Sequence, residues 1–100
     1  MEVRYIIKAT YLDGDHKGES YYLSKGGYGC NYEGGYCFYS DCYETERAAK
    51  MVATKWNKEN KTQVEIERRN NERRAAEGKK LFPAIYTPQH YEPFKVEFGN

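Results

Sequence analysis

The chain has no apolar run approaching the roughly 18–20 residues that a membrane helix needs. Its opening, Met1-Glu2-Val3-Arg4, alternates charge where a signal peptide would carry a hydrophobic block. These absences lead us to expect a cytoplasmic protein with no membrane partner. Cysteine is scarce: three residues, an odd number in a chain without a secretory signal, argue against a disulfide framework. Cys30, Cys37 and Cys42 are separated by six and four intervening residues, which fits no zinc pattern. Neither His16 nor His90 lies at a ligand-like interval from them. The expectation is that Cys37 packs in the core and that Cys30 and Cys42 are ordinary thiols. A Cys–His nucleophile would need Cys42, near a helix start, to meet His90 across the fold, and nothing in the spacing demands that. Gly26-Gly27-Tyr28-Gly29 lacks the Lys-Ser/Thr that completes a phosphate-binding loop, and its spacing lacks the dinucleotide fingerprint. Asp13/Asp15 and Glu44/Glu46 sit where a turn and a helix start already explain them. With no catalytic constellation, we expect no enzyme activity, no cofactor and no metal.

What is present is tyrosine. There are 11 tyrosines in 100 residues, and 16% of the chain is aromatic although only 39% is hydrophobic. One hundred residues allow a single domain, 1–100, with one modest core. Much of its burial must therefore come from tyrosine and phenylalanine, and some of the tyrosines must remain at the surface as contact residues.

Val3 to Leu12 is rich in β-branched and aromatic residues. Val3, Tyr5, Ile7, Ala9 and Tyr11 share one face, while Ile6 and Leu12 add apolar groups to the other, so this strand should be central and covered on both sides. Asp13-Gly14-Asp15-His16-Lys17-Gly18 is a turn, and Glu19 to Ser24 returns as the second strand of a hairpin. Residues 25–35 carry five glycines and form a long loop, with Tyr36-Cys37-Phe38-Tyr39 as a short third strand. A helix follows, capped by Asp41 or Thr45, with Ala48, Ala49, Val52, Ala53 and Trp56 on one face, ending at Asn57 to Lys61. Val64 and Ile66 alternate with polar neighbours, which predicts a strand over Gln63 to Glu67. Asn70 to Glu77 is a short charged second helix stopped by Gly78. Leu81 to Pro93, with three prolines, is extended or irregular, and Phe94 to Phe98 is a terminal strand. The predicted fold is α+β: an antiparallel sheet of about four or five strands led by an N-terminal hairpin and packed on one main helix. Residues 68–93 form an insertion or projecting segment.

Two segments suit contact with a partner. In the glycine-tyrosine loop, Tyr28, Tyr32 and Tyr36 offer amphipathic area on an adaptable backbone. Further on, Arg68, Arg69, Arg73, Arg74, Lys79 and Lys80 face only Glu72 and Glu77, a local excess of +4 in a chain of net charge +1. Such a segment can touch phosphates or dock on an acidic protein surface. A solvated charged helix is the plainer alternative.

The opening strand Arg4-Tyr5-Ile6-Ile7-Lys8, its partner Tyr21-Tyr22-Leu23-Ser24, the helix entry Tyr43 to Ala48 and then Val64-Glu65-Ile66 give residues 3–67 a familiar layout. That layout resembles small phage and prophage accessory proteins, some of which, anti-CRISPR proteins among them, inhibit host defences by binding host machinery. The resemblance implies a non-enzymatic binding protein in a bacterial host's cytoplasm, acting on a host protein or protein–nucleic-acid complex. It carries over no site residue. Binding of nucleic acid or a nucleotide-like ligand through the tyrosine loop and the basic segment is the alternative. An exposed strand edge, or the tyrosine loop, would also allow a homodimer.

Overall fold

The computed structural model describes residues 2–30 and 38–99. Strand β1 (Glu2–Tyr11) pairs with β2 (Ser20–Leu23), and β2 with β3 (Gly29–Cys30). A 3-10 turn at Tyr39–Asp41 leads to helix α1 (Glu46–Ala76), and β4 (Gln89–Phe98) closes the chain. The sheet is antiparallel in the order β3-β2-β1-β4. The fold is thus α+β, one four-stranded sheet on one main helix.

β1 is central, as its two-sided apolar pattern predicts. Ile6 and Ile7 point to opposite faces and both are fully buried, each contributing about 1.5–3 kcal/mol. On one face Ile7 meets Tyr43, Ala49 and Ala53, flanked by Leu23, Val52, Trp56 and Tyr91. The alanines let the helix backbone approach the sheet, and Trp56 stands edge-on to Tyr91 with ring centroids 5.7 Å apart. On the other face Ile6 packs with Cys42 and Val96 beside Tyr22, Phe94 and Phe98. Phe94 to Phe98 is a strand with one face buried, but that face lies opposite the helix. Tyr43 extends the sheet below β2 by exchanging backbone hydrogen bonds with Tyr5 at 2.7 and 3.0 Å.

Three expectations fail. The helix does not end at Asn57–Lys61; it runs 31 residues to Ala76. The expected strand at Gln63 to Glu67 and the separate second helix at Asn70 to Glu77 are both parts of α1, and the only other helical piece among the described residues is the 3-10 turn. No proline or glycine interrupts 46–77, so nothing stops the helix before Gly78, whose positive φ of 72° supplies the C-terminal cap. Thr45 caps the other end, its Oγ1 accepting from the Ala48 N–H at 3.1 Å. The third failure concerns 36–39. Tyr36 and Cys37 lie outside the described residues, while Phe38 precedes and Tyr39 opens the 3-10 turn. The edge strand beyond β2 is Gly29–Cys30 instead.

At ~1.5 Å per residue, a 31-residue helix is far longer than the sheet is wide. The first third packs on β1 and β4, and the remainder carries the molecule to 61 Å along its long axis against 24 and 18 Å across.

Candidate functional site

The distal half of α1 does not stand alone. Residues 77–88 turn back at Gly78 and run antiparallel along it as a strap. The strap is held chiefly by polar side chains of one helical stripe, each clamping backbone. Asn71 donates to the Phe82 carbonyl at 3.1 Å and accepts from the Phe82 N–H at 3.0 Å. Glu67 accepts from the N–H groups of Ile85 and Tyr86 at 2.9 and 2.8 Å. Asn60 donates to the Thr87 carbonyl and accepts from Gln89 N–H, and Asn57 does both to Tyr91. Arg74 Nε donates to the Lys80 carbonyl at 2.7 Å, with its guanidinium 4.0 Å over the Phe82 ring.

The clamps have a consequence for the side chains. Because the helix grips backbone, the strap's apolar groups are not turned into a core. Leu81, Phe82, Ile85 and Tyr86 remain 52%, 60%, 77% and 41% exposed. A concentration of apolar surface on a small domain marks a contact site more often than chance does. Next to it in the chain, Lys79 and Lys80 are exposed cations.

The basic residues do not act as one patch. Arg68 lies between Glu65 and Glu72, Arg69 pairs with Glu65 at 3.0 Å, and Lys79 pairs with Glu77 at 2.9 Å. Hydrogen bonding and charge from Arg68, with a smaller contribution from Arg69, hold the Glu65 carboxyl below the usual carboxylate range. The same partners raise the Arg68 guanidinium. Arg74 is committed to the strap. Lys80, next to Leu81 in the chain, has no ion pair among the described residues; Arg73 has none either, but lies on the side of α1 turned away from the Glu67–Asn71–Arg74 stripe that holds the strap. Glu72 and Glu77 are already counted in the local +4 of the sequence, and pairing with Glu65 lowers it to +3.

The start of the glycine-tyrosine loop forms a turn. Ser24 N–H donates to the Tyr28 carbonyl at 2.7 Å and Gly27 N–H to the Ser24 carbonyl at 3.0 Å, closing a tight turn between β2 and β3. Gly27 has φ +85°, and its Cα faces the Trp56 ring, where an added Cβ would lie 3.6 Å away. Tyr28 is 74% exposed; Tyr32 and Tyr36 lie outside the described residues. A cleft of about 420 Å³ opens between this turn, the Trp56 and Glu59 part of α1, and Tyr86 of the strap. The turn and Tyr86 of the strap therefore share one wall of the molecule, whereas Arg68 to Arg74 lie farther out along the helix and Lys79 and Lys80 at the far end of the strap.

The thiol–imidazole pair is not assembled. Cys42 is buried against Ile6, with its Sγ donating to the Phe38 carbonyl at 3.4 Å. His90 pairs with Thr10 on the sheet, about 13 Å along β1 from Ile6 at the usual strand rise, and faces Glu92. Cys37, expected in the core, lies outside the described residues. Among those described, no three His, Cys, Asp or Glu side chains gather where a metal could bind. No helix among the described residues is long and apolar enough to cross a membrane.

Reading the sequence by charge missed Leu81, Phe82, Ile85 and Tyr86. Their signal was an apolar run, Leu-Phe-Pro-Ala-Ile-Tyr, between Lys80 and Thr87 in a stretch otherwise polar. No family model matches the chain, and no curated protein or solved structure is significantly similar to it.

Proposed function

We propose that this chain is a non-enzymatic protein-binding module, carried by a phage and directed at a host protein, whose contact surface is the strap on distal α1. The observation that carries this reading is the outward row Leu81, Phe82, Ile85 and Tyr86, held open by the polar clamps beneath it. Large aromatic and aliphatic groups at the centre of a patch, with cations at its rim, are the composition of a protein-binding hot spot. Lys80 beside Leu81 suits a partner whose apolar groove is bordered by a carboxylate. The phage origin rests on the layout resemblance alone, and that now extends only from β1 to the helix entry at Ala48, since Val64 to Ile66 is helical. An inhibitory role against host defence is the form of host-protein binding that the resemblance suggests.

Nucleic-acid binding has weaker support. Arg68, Arg69 and Lys79 are already paired with carboxylates, and a phosphate would have to displace Glu65, Glu72 and Glu77.

The test is retention of bacterial lysate proteins on the immobilised full chain, compared with a Phe82→Ser/Ile85→Ser variant. Both substituted side chains are exposed, so the fold should survive. The expected result is a host protein held by wild type, lost by the variant, and bound again by wild type when purified. Equal retention by both chains would remove the strap as the contact surface.

A further inference from the structure

We infer that β4 pairs with β4 of a second copy of this chain, joining two sheets edge to edge about a twofold axis at Val96. β4 is an edge strand, and its backbone groups face alternately inward and outward. The parity is fixed by neighbouring bonds: Tyr5, opposite Lys95, directs its N–H and carbonyl away from β4 to Tyr43. Even residues of β4 therefore bond to β1, and Gln89, Tyr91, Pro93, Lys95, Glu97 and Gly99 present backbone to the outside. The outer edge is already closed at its upper end, where Asn60 and Asn57 of the helix take Gln89 and Tyr91. Pro93 has no N–H to offer. The remaining donors are Lys95, Glu97 and Gly99, and no described residue takes them. Space is open there, since a Cβ built on Gly99 would meet nothing within 4 Å.

This short open stretch is self-complementary in one register. An antiparallel pairing centred on Lys95 sets Lys95 against its own copy, and one centred on Glu97 sets carboxylate against carboxylate. Centred on Val96, Lys95 lies opposite Glu97 of the second copy and Glu97 opposite its Lys95, each pair exchanging both N–H···O bonds. Pro93 then faces Gly99, whose N–H its carbonyl accepts; proline returns no donor, so this outer pair carries one bond where the Lys95–Glu97 pairs carry two. On the opposite face Phe94 comes beside Phe98 of the second copy, extending the row in which Tyr22 and Phe94 rings already lie 5.0 Å apart. The hydrogen bonds of α1 to the outer edge fall at Gln89 and Tyr91, away from Lys95 to Gly99. Gln89 and Tyr91 lie beyond the end of the second copy's strand. The two Lys95–Glu97 ion pairs, one within each chain at 3.3 Å, are exchanged for two between chains.

The alternative is an edge that proline and charge keep solitary. Sedimentation of the full chain over a wide concentration range distinguishes them. Wild type should self-associate to a dimer. Lys95→Glu, which faces carboxylate with carboxylate twice per dimer, should weaken association about tenfold. Lys95→Glu/Glu97→Lys should restore it, and Phe82→Ser/Ile85→Ser should leave it unchanged, separating this edge from the strap. As a readout needing no substitution, exchange of the Lys95 and Glu97 amides in wild type should slow as concentration rises. A monomer at all concentrations, a dimer indifferent to charge reversal, or one lost with the strap substitutions would each overturn the proposal.

Discussion

Asn57 holds the backbone of Tyr91 with both ends of its carboxamide, Nδ2 donating to the carbonyl at 2.9 Å and Oδ1 accepting from the N–H at 2.7 Å. A helix side chain thus takes the place that a neighbouring strand would hold along this part of the edge. Asn57→Ala leaves a half-buried donor and acceptor without partners beside Trp56, and should destabilise the fold by about 1–3 kcal/mol. Asn57→Asp keeps the acceptor but brings a carboxylate against the Tyr91 carbonyl, so it should not rescue. Urea midpoints measure both. Two substitutions as stable as wild type would mean that the clamp contributes nothing.

Glu67 does for the strap what Asn57 does for the strand. One carboxylate receives two adjacent N–H groups, from Ile85 and Tyr86, and charge-assisted bonds of this kind exceed neutral ones in strength. Glu67→Ala should therefore loosen residues 81–87 without unfolding the sheet, whose core it does not touch. Amide exchange at Ile85 and Tyr86 should accelerate severalfold while that of β1 stays as it was. Gln in the same place keeps one acceptor and should give an intermediate rate. Uniform acceleration across β1 as well would show that the strap and the sheet open together.

The contrast between these two halves explains what could be read in advance. The hairpin, the central strand and the Ala49–Ala53 helix face were legible because their apolar periodicity is what buries them. The distal helix has no such stripe: its inward positions are Asn57, Asn60, Val64, Glu67 and Asn71, chosen to bind backbone. Val64 and Ile66 then stood out as a period-two alternation, although Ile66 is half-exposed and shares no buried face with Val64. Length was the stronger signal, since no helix breaker occurs before Gly78. The contact surface was hidden for a related reason. Three prolines made 81–93 look like mere connection, and only the clamps reveal that its apolar groups point outward.

A proline substitution separates the two assignments of residues 63–67. Proline is tolerated at the first position of a strand, where Gln63 would have stood, but inside a helix it removes a hydrogen bond and clashes with the preceding turn. Gln63 is exposed in α1, so packing does not complicate the comparison. Gln63→Pro should cost about 3 kcal/mol or more and lower the helical circular dichroism signal. A cost near zero would return this segment to an extended conformation.

Two tyrosines set the response to alkali. Burial first, and then the neighbouring Tyr91, raise the Tyr21 hydroxyl above its ordinary value of 10. Burial raises Tyr43 in the same direction, offset in part by its hydrogen bond to the Gly26 backbone. For a group whose folded pKa lies above its unfolded one, the stabilising contribution is complete below the unfolded value. It is lost as pH climbs from there through the folded value, because the unfolded chain ionises first. Glu65 has the opposite sign: lowered by Arg68, its contribution is complete above the ordinary 4.5 and disappears as pH falls through the folded value. Its exposure on the helix surface makes that arm the smaller. The urea midpoint should therefore fall above pH 10, and fall less steeply in Tyr21→Phe, which cannot ionise. An identical alkaline slope in Tyr21→Phe and wild type would mean that this hydroxyl titrates alike in both states.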